Sequence, residues 1–186
     1  MVNKLPGRIR ILLALLLLAA LPAGAQTRSQ FSTSTVTFFS SAPLEDIEAT
    51  NKSSKAVVDW EKRSFLVSIP IKGFEFRSGL MQSHFNENYL ESDRYPDCTY
   101  RGIFAGPVDL TKDGDYPITT SGELTLHGVT QKRVIPAVLK VRNGQVTVSS
   151  KFPIKVAEHK IAIPKMVFKK IAETVDVTIN AQLVRM

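Results

Sequence analysis

Apolar and polar residues alternate with a period of two along most of this chain. Between Ser64 and Lys72, Phe65, Val67, Ile69 and Ile71 fall on one face, the spacing of a half-buried β-strand. Val175, Val177, Ile179, Ala181 and Leu183 repeat the pattern at the C-terminal end. From Gly122 to His127, Leu124 and Leu126 alternate with Glu123, Thr125 and His127. The stretch Arg133–Val141 is apolar on both sides, with Val134, Ile135, Val138, Leu139 and Val141. It runs into Asn143-Gly144, the preferred pair for a two-residue hairpin turn, and Val146, Val148, Ser150 and Phe152 follow as the partner strand. Further strands are expected over 31–40, 46–52, 55–60 and 99–106. Pro70 cannot donate to a ladder, which places an edge or a bulge beside it.

Two segments break the alternation. From Gly79 to Glu91, Leu80, Met81, His84, Phe85, Tyr89 and Leu90 carry the spacing of a short amphipathic helix. Ser78 is its expected N-cap, and Tyr95-Pro96 ends the segment. A second helical turn is expected near 164–171. The N-terminus has another character. Lys4, Arg8 and Arg10 precede an unbroken apolar run from Ile11 to Leu21, then Ala23-Gly24-Ala25 and Gln26. That order is a secretory signal peptide, and the run is shorter than the roughly 20 residues a membrane span takes. The organisation expected is a cleaved segment 1–25 and one exported domain, 26–186, periplasmic or secreted.

Cleavage changes the bulk numbers. The 186-residue chain less those 25 leaves 161, enough for one domain with a proper core. The formal charge of +7 less the three basic residues of the leader leaves +4. So modest an excess argues against nucleic acid as a partner and is compatible with transient contact at a membrane surface. The single cysteine, Cys98, excludes an intrachain disulfide, so core burial alone stabilises the fold. Hairpin-linked strands in this number suit a closed barrel, whose inside has room for one small ligand at eight strands, or a sandwich with a filled core. Alternation by itself leaves both open.

A resemblance separates them. Gly122-Glu123-Leu124-Thr125-Leu126-His127-Gly128-Val129-Thr130-Gln131-Lys132 resembles the signature hairpin of the YceI-like family of bacterial lipocalin-like, polyisoprenoid-binding proteins. His84-Phe85-Asn86 and Asp93-Arg94-Tyr95-Pro96-Asp97 resemble that family's helix and the lead into its next strand, and Glu173–Ile179 its last strand. The likeness covers roughly 31–184. The family's usual acidic-aromatic-Gly motif before the last strand is replaced here by Glu158-His159-Lys160-Ile161. The resemblance implies an all-β fold, an antiparallel lipocalin-like barrel of about eight strands with one short helix between strands. It also implies a hydrophobic tunnel for a long isoprenoid chain.

Such a chain offers almost no polar groups, so its recognition must come from buried apolar area at roughly 25 cal/mol per Å², with one polar mouth for the head group. The candidate lipid-binding wall is Phe38, Trp60, Phe65, Val67, Ile69, Phe85, Tyr89, Tyr100, Phe104, Leu124 and Leu126. The bland alternative for each is an ordinary core residue. The helix 79–91 is expected to line or plug one end, with Phe85 and Tyr89 as adjustable gates.

Signals for chemistry are weak. His84, His127 and His159 show no metal-ligand spacing; a structural hydrogen bond is expected of His127, and a packed or mouth position of His84. Neither a Gly-x-Ser-x-Gly elbow nor a phosphate loop occurs. Cys98 reads as a small buried hydrophobe. Glu87, Glu91 and Asp93 read as a solvated face, and Lys165, Lys169 and Lys170 around Met166, Val167 and Phe168 as a snorkelling surface. No metal, cofactor or catalytic role is expected. The function expected is sequestration or transport of an isoprenoid or other long-chain lipid, with a structural or adhesive β-module of filled core as the competing class and an enzyme third.

Overall fold

A computed structural model describes residues 27–163 and 171–186. The leader, and nearly all of the turn and basic cluster expected over 164–171, lie outside the described residues. The strands are β1 (Arg28–Ser41), β2 (Asp46–Asn51), β3 (Lys55–Asp59), β4 (Ser64–Pro70), β5 (Phe74–Phe76), β6 (Asp97–Ala105), β7 (Gly114–Leu126), β8 (Val129–Arg142), β9 (Gln145–Lys155) and β10 (Thr174–Arg185). Between β5 and β6 the helix α1 (Gly79–His84) runs on as a π-helical turn, Phe85–Tyr89. Ser78 caps α1, its side chain accepting from the Met81 N–H at 3.4 Å.

All pairings are antiparallel, and β10 returns to pair with β1 from Ser29↔Arg185 to Phe39↔Asp176, which closes the sheet. The other edge of β1 is shared. Its start pairs with β3 and its end with β2, while β4 pairs with β3 and β5 with β2. β2 with β3, and β4 with β5, are therefore two long wall strands, each broken once. Eight positions surround the axis: a closed eight-stranded antiparallel barrel with one short helix.

The two breaks share one stitch. Pro70 has no N–H to donate, and a 3-10 turn over Ile71–Gly73 follows it. Asn51, wholly buried at the end of β2, donates from Nδ2 to the Pro70 carbonyl at 2.7 Å. Its Oδ1 accepts from the Ser53 N–H at 2.8 Å and from Ser54 Oγ at 3.1 Å. One amide side chain thus satisfies groups that both interruptions free from the ladder.

Hairpins link β7, β8 and β9. Arg142↔Gln145 flanks Asn143-Gly144, both at positive φ (49° and 76°), as a type I′ turn requires. Leu126↔Val129 flanks His127-Gly128 in the same way, with φ of 52° and 70°. β7 begins at Gly114, well before the alternation made it visible. On β8 the buried residues are Ile135, Ala137, Leu139 and Val141, while Val134 is 69% exposed.

The end holding the β3–β4 connection is closed by side chains. Trp60 donates from Nε1 to Ser29 Oγ at 2.9 Å and packs edge-on against Phe104 with ring centroids 5.7 Å apart. The Arg63 guanidinium lies 5.2 Å from the Phe104 ring centroid and donates to the carbonyls of Phe104 and Gly106. At the opposite end β2, β5 and α1 extend the wall.

Candidate ligand cavity

The barrel is hollow. A cavity of about 510 Å³ occupies the half that α1 covers, and a smaller one of about 100 Å³ lies toward the Trp60 end. Phe38, Val67, Phe152 and Ile179 point inward, yet each keeps partial exposure because it borders empty space. Native cores are close-packed, so an inward face that stays accessible is the mark of unfilled volume.

Each candidate wall residue faces one or both spaces. Phe38, Ile69, Phe85, Tyr89, Leu124 and Leu126 line the larger cavity. Trp60, Phe65 and Phe104 line the smaller one. Val67 and Tyr100 border both, as do Phe152 and Ile179. The larger wall also contains residues that sequence reasoning did not select, among them Val36, Phe74, Phe76, Ile154 and Val177. The alternation around Glu75 marks Phe74 and Phe76, but a three-residue strand is too short to show a period. Phe152, Val177 and Ile179 lay on recognised strands, and only closure shows that their faces meet Val67 and Tyr100.

At the covered end four rings gather. Phe85 from the π turn stacks on Phe38 with centroids 5.5 Å apart and planes 14° from parallel. It also meets Phe74 at 5.6 Å and Phe76 at 4.9 Å, offset and edge arrangements that aromatic quadrupoles favour. α1 therefore docks on the barrel through an apolar contact.

Among the described residues, polar groups on the larger cavity are few: Ser40, Glu45, Ser78 and the exposed His84 belong to its rim elements. Deeper in, burial pushes the Cys98 thiol up to about 12, with Asp97 adding to the rise, so at neutral pH it is an uncharged, inert hydrophobe. Burial likewise raises the Tyr89 phenol. It raises the Tyr100 phenol too, against an opposing hydrogen bond from Thr120. Both phenols are neutral at physiological pH.

The other two histidines are structural. His127 Nδ1 lies 3.1 Å from the His159 carbonyl, and His159 Nδ1 lies 3.1 Å from the Val129 carbonyl. Gln131 Nε2 donates to the Glu158 carbonyl at 2.9 Å, and Arg133 pairs with the Glu158 carboxylate at 2.5 Å. These bonds fasten the turn Val156–His159, whose Val156 lines the cavity, to the β7–β8 hairpin. Of the helix-face carboxylates, Glu87 and Asp93 are exposed. Glu91 is not purely solvated: it lies 3.6 Å from His127 Nε2 and 3.6 Å from Arg94. Among the described residues no three His, Cys, Asp or Glu side chains are grouped to hold a metal ion, and no helix is long and apolar enough to cross a membrane.

A family model, the YceI-like domain, matches residues 25–183. The chain belongs to the YceI-like family. Solved structures agree on the fold. BcnA of Burkholderia cenocepacia is 17% identical over 81% of this chain and 96% of its own, with a TM-score of 0.68. A polyisoprenoid binding domain from Saccharophagus degradans, implicated in plant cell wall breakdown, is 15% identical over 85% and 98%, with a TM-score of 0.72. No curated protein sequence matches the chain. Within this YceI-like barrel, the segment Glu158–Ile161 is held locally. His159 has no exposed surface. Lys160 lies at φ 56° and ψ 24°, a left-handed conformation that glycine adopts without strain.

Proposed function

We propose that this YceI-like protein is an exported carrier that sequesters or transports a long-chain amphiphile, an isoprenoid lipid, with its tail in the barrel and its head group at the rim. The observation that carries this reading is the cavity of about 510 Å³ inside a closed barrel, lined almost wholly by aliphatic and aromatic side chains. That volume lies in the range of small-molecule sites. A recognition surface without buried charge suits a ligand whose affinity must come from apolar area. The name of the Saccharophagus relative points to the same ligand class, and the basic, apolar N-terminal segment supports export. A structural module with a filled core would have no use for this volume. The barrel then acts by binding and release.

Mass spectrometry of an organic extract of the protein, purified from the cell envelope without detergent, tests this reading. A co-purifying prenyl lipid in near-stoichiometric amount is the expected result. A clean extract, together with no binding of added prenols, overturns it.

A further inference from the structure

The two cavities meet at one level of shared side chains. Val67 on β4, Tyr100 on β6, Phe152 on β9 and Ile179 on β10 border both. Of these four, only Tyr100 is anchored by a polar group. Its ladder partners are Val67 and Leu124. Its hydroxyl, however, lies 3.0 Å from Thr120 Oγ1, a residue paired with Phe104 farther toward the closed end. The same hydroxyl lies 3.3 Å from the Arg133 carbonyl, and Thr120 Oγ1 lies 2.8 Å from the Ile135 carbonyl, so the two hydroxyl protons serve two of these three contacts at a time. Phe65 packs against the ring with centroids 4.9 Å apart. Swinging the ring aside would strand a hydroxyl in an apolar shaft, a costly exchange. The other waist residues have no such restraint.

Resting on the carrier reading, we propose that Tyr100 sets the length of tail the barrel accepts. The anchored ring is a floor at which the tail ends. Beneath it, the chamber of about 100 Å³ is lined by Trp60, Phe65, Phe104 and other apolar side chains, with the hydroxyls of Thr120 and Ser150 turned to backbone carbonyls, and such a cavity stays dry. In the parent protein, affinity rises with prenol length until the tail meets Tyr100 and then levels off. With the floor removed, the two chambers join. Longer tails then gain roughly fourfold for each further methylene buried.

The experiment uses the mature protein and a length series of prenols (farnesol, geranylgeraniol, solanesol) competing against a fluorescent prenyl probe. Tyr100→Ala is expected to move the plateau to a longer chain, with at least a tenfold gain for the first prenol past the parent's limit. Tyr100→Phe keeps the ring and frees it from Thr120 and Arg133. It is expected to retain the parent's melting temperature closely and to move the plateau in the same direction by a smaller step, so it decides if the alanine variant does not fold. Trp60 is the sole tryptophan and lies beneath the floor, which supplies a second readout. A prenyl ligand brominated at its tail end should leave Trp60 emission unchanged in the parent and quench it in the variants. Prenols that bind the parent, with a plateau and a Trp60 signal unmoved in both variants, overturn the floor and leave the carrier reading standing. No prenol binding to the parent overturns both.

Discussion

His159 shows how one side chain can couple this barrel to pH. It has no exposed surface, and burial pulls its pKa below the ordinary 6.5, with the nearby Arg133 adding to the effect. Hydrogen bonding to the Val129 carbonyl and the Glu158 carboxylate act in the opposite direction and do not reverse it. The folded state therefore holds a neutral imidazole where the unfolded chain takes up a proton more readily. The contribution to stability is complete above about pH 6.5 and is lost as pH falls from there through the depressed folded value. Chemical denaturation between neutral pH and about pH 5 should show the midpoint falling. His159→Phe, which keeps an aromatic ring but removes the titrating group, should flatten that fall between neutrality and the carboxylate range. An unchanged slope in the variant would mean that the loss arises elsewhere. Nothing in the spacing of the histidines announces this role. His127 and His159 are 32 residues apart, and only the fold lays the turn of one on the hairpin of the other.

At the scale of elements, glycines act through two separable mechanisms. Gly102 on β6 and Gly122 on β7 face each other across the ladder. A Cβ at Gly102 would lie 2.2 Å from the Ser121 carbonyl oxygen, and one at Gly122 would lie 2.2 Å from the Arg101 carbonyl oxygen. The strands approach there more closely than side chains permit. At Gly144 nothing stands within 4 Å, and only the φ of 76° requires glycine. Gly144→Val should therefore cost the conformational penalty alone, about 1–2 kcal/mol. Gly102→Ala must push backbone apart and should cost more, up to misassembly of the β6–β7 pair. Melting temperatures of the two variants rank them, and an equal or smaller loss at Gly102 would refute the close-approach account. The Asn143-Gly144 turn was legible because turn chemistry is local. The glycine pair was not, because its meaning lies in register between strands. The same holds for β4: Pro70 signalled a break in the ladder, but the Asn51 amide that fills it comes from β2, 19 residues earlier. The helix over 79–91 was legible as apolar spacing, whereas its change from α to π winding at Phe85 was not.

At the scale of the whole molecule, alternation tells which face of a strand is apolar but not whether that face meets another side chain or a void. Sandwich and barrel share the pattern. The pairing of β10 with β1 decides between them, and it joins segments at opposite ends of the sequence. Hollowness is a further property, and Val67 tests it because it borders both cavities. A carboxylate there would have to be desolvated against a bound tail at a cost of several kcal/mol. Val67→Asp should abolish binding of a fluorescent prenyl probe. A filled core would lose its stability under the same change, so the aspartate alone does not discriminate. Val67→Phe does. In close-packed surroundings the added ring would cost about 1–3 kcal/mol by overpacking and lower the melting temperature plainly. Beside about 510 Å³ of open volume the ring has space to enter, so the melting temperature of the unliganded protein should hold. Meanwhile the narrowed shaft should weaken long prenols more than short ones. Ligand itself should raise the melting temperature of the parent by mass action, by the equivalent of about 2.7 kcal/mol at a hundredfold excess over Kd, and should raise that of Val67→Phe less for the longest tails. A Val67→Phe protein that melts well below the parent would count against a hollow barrel.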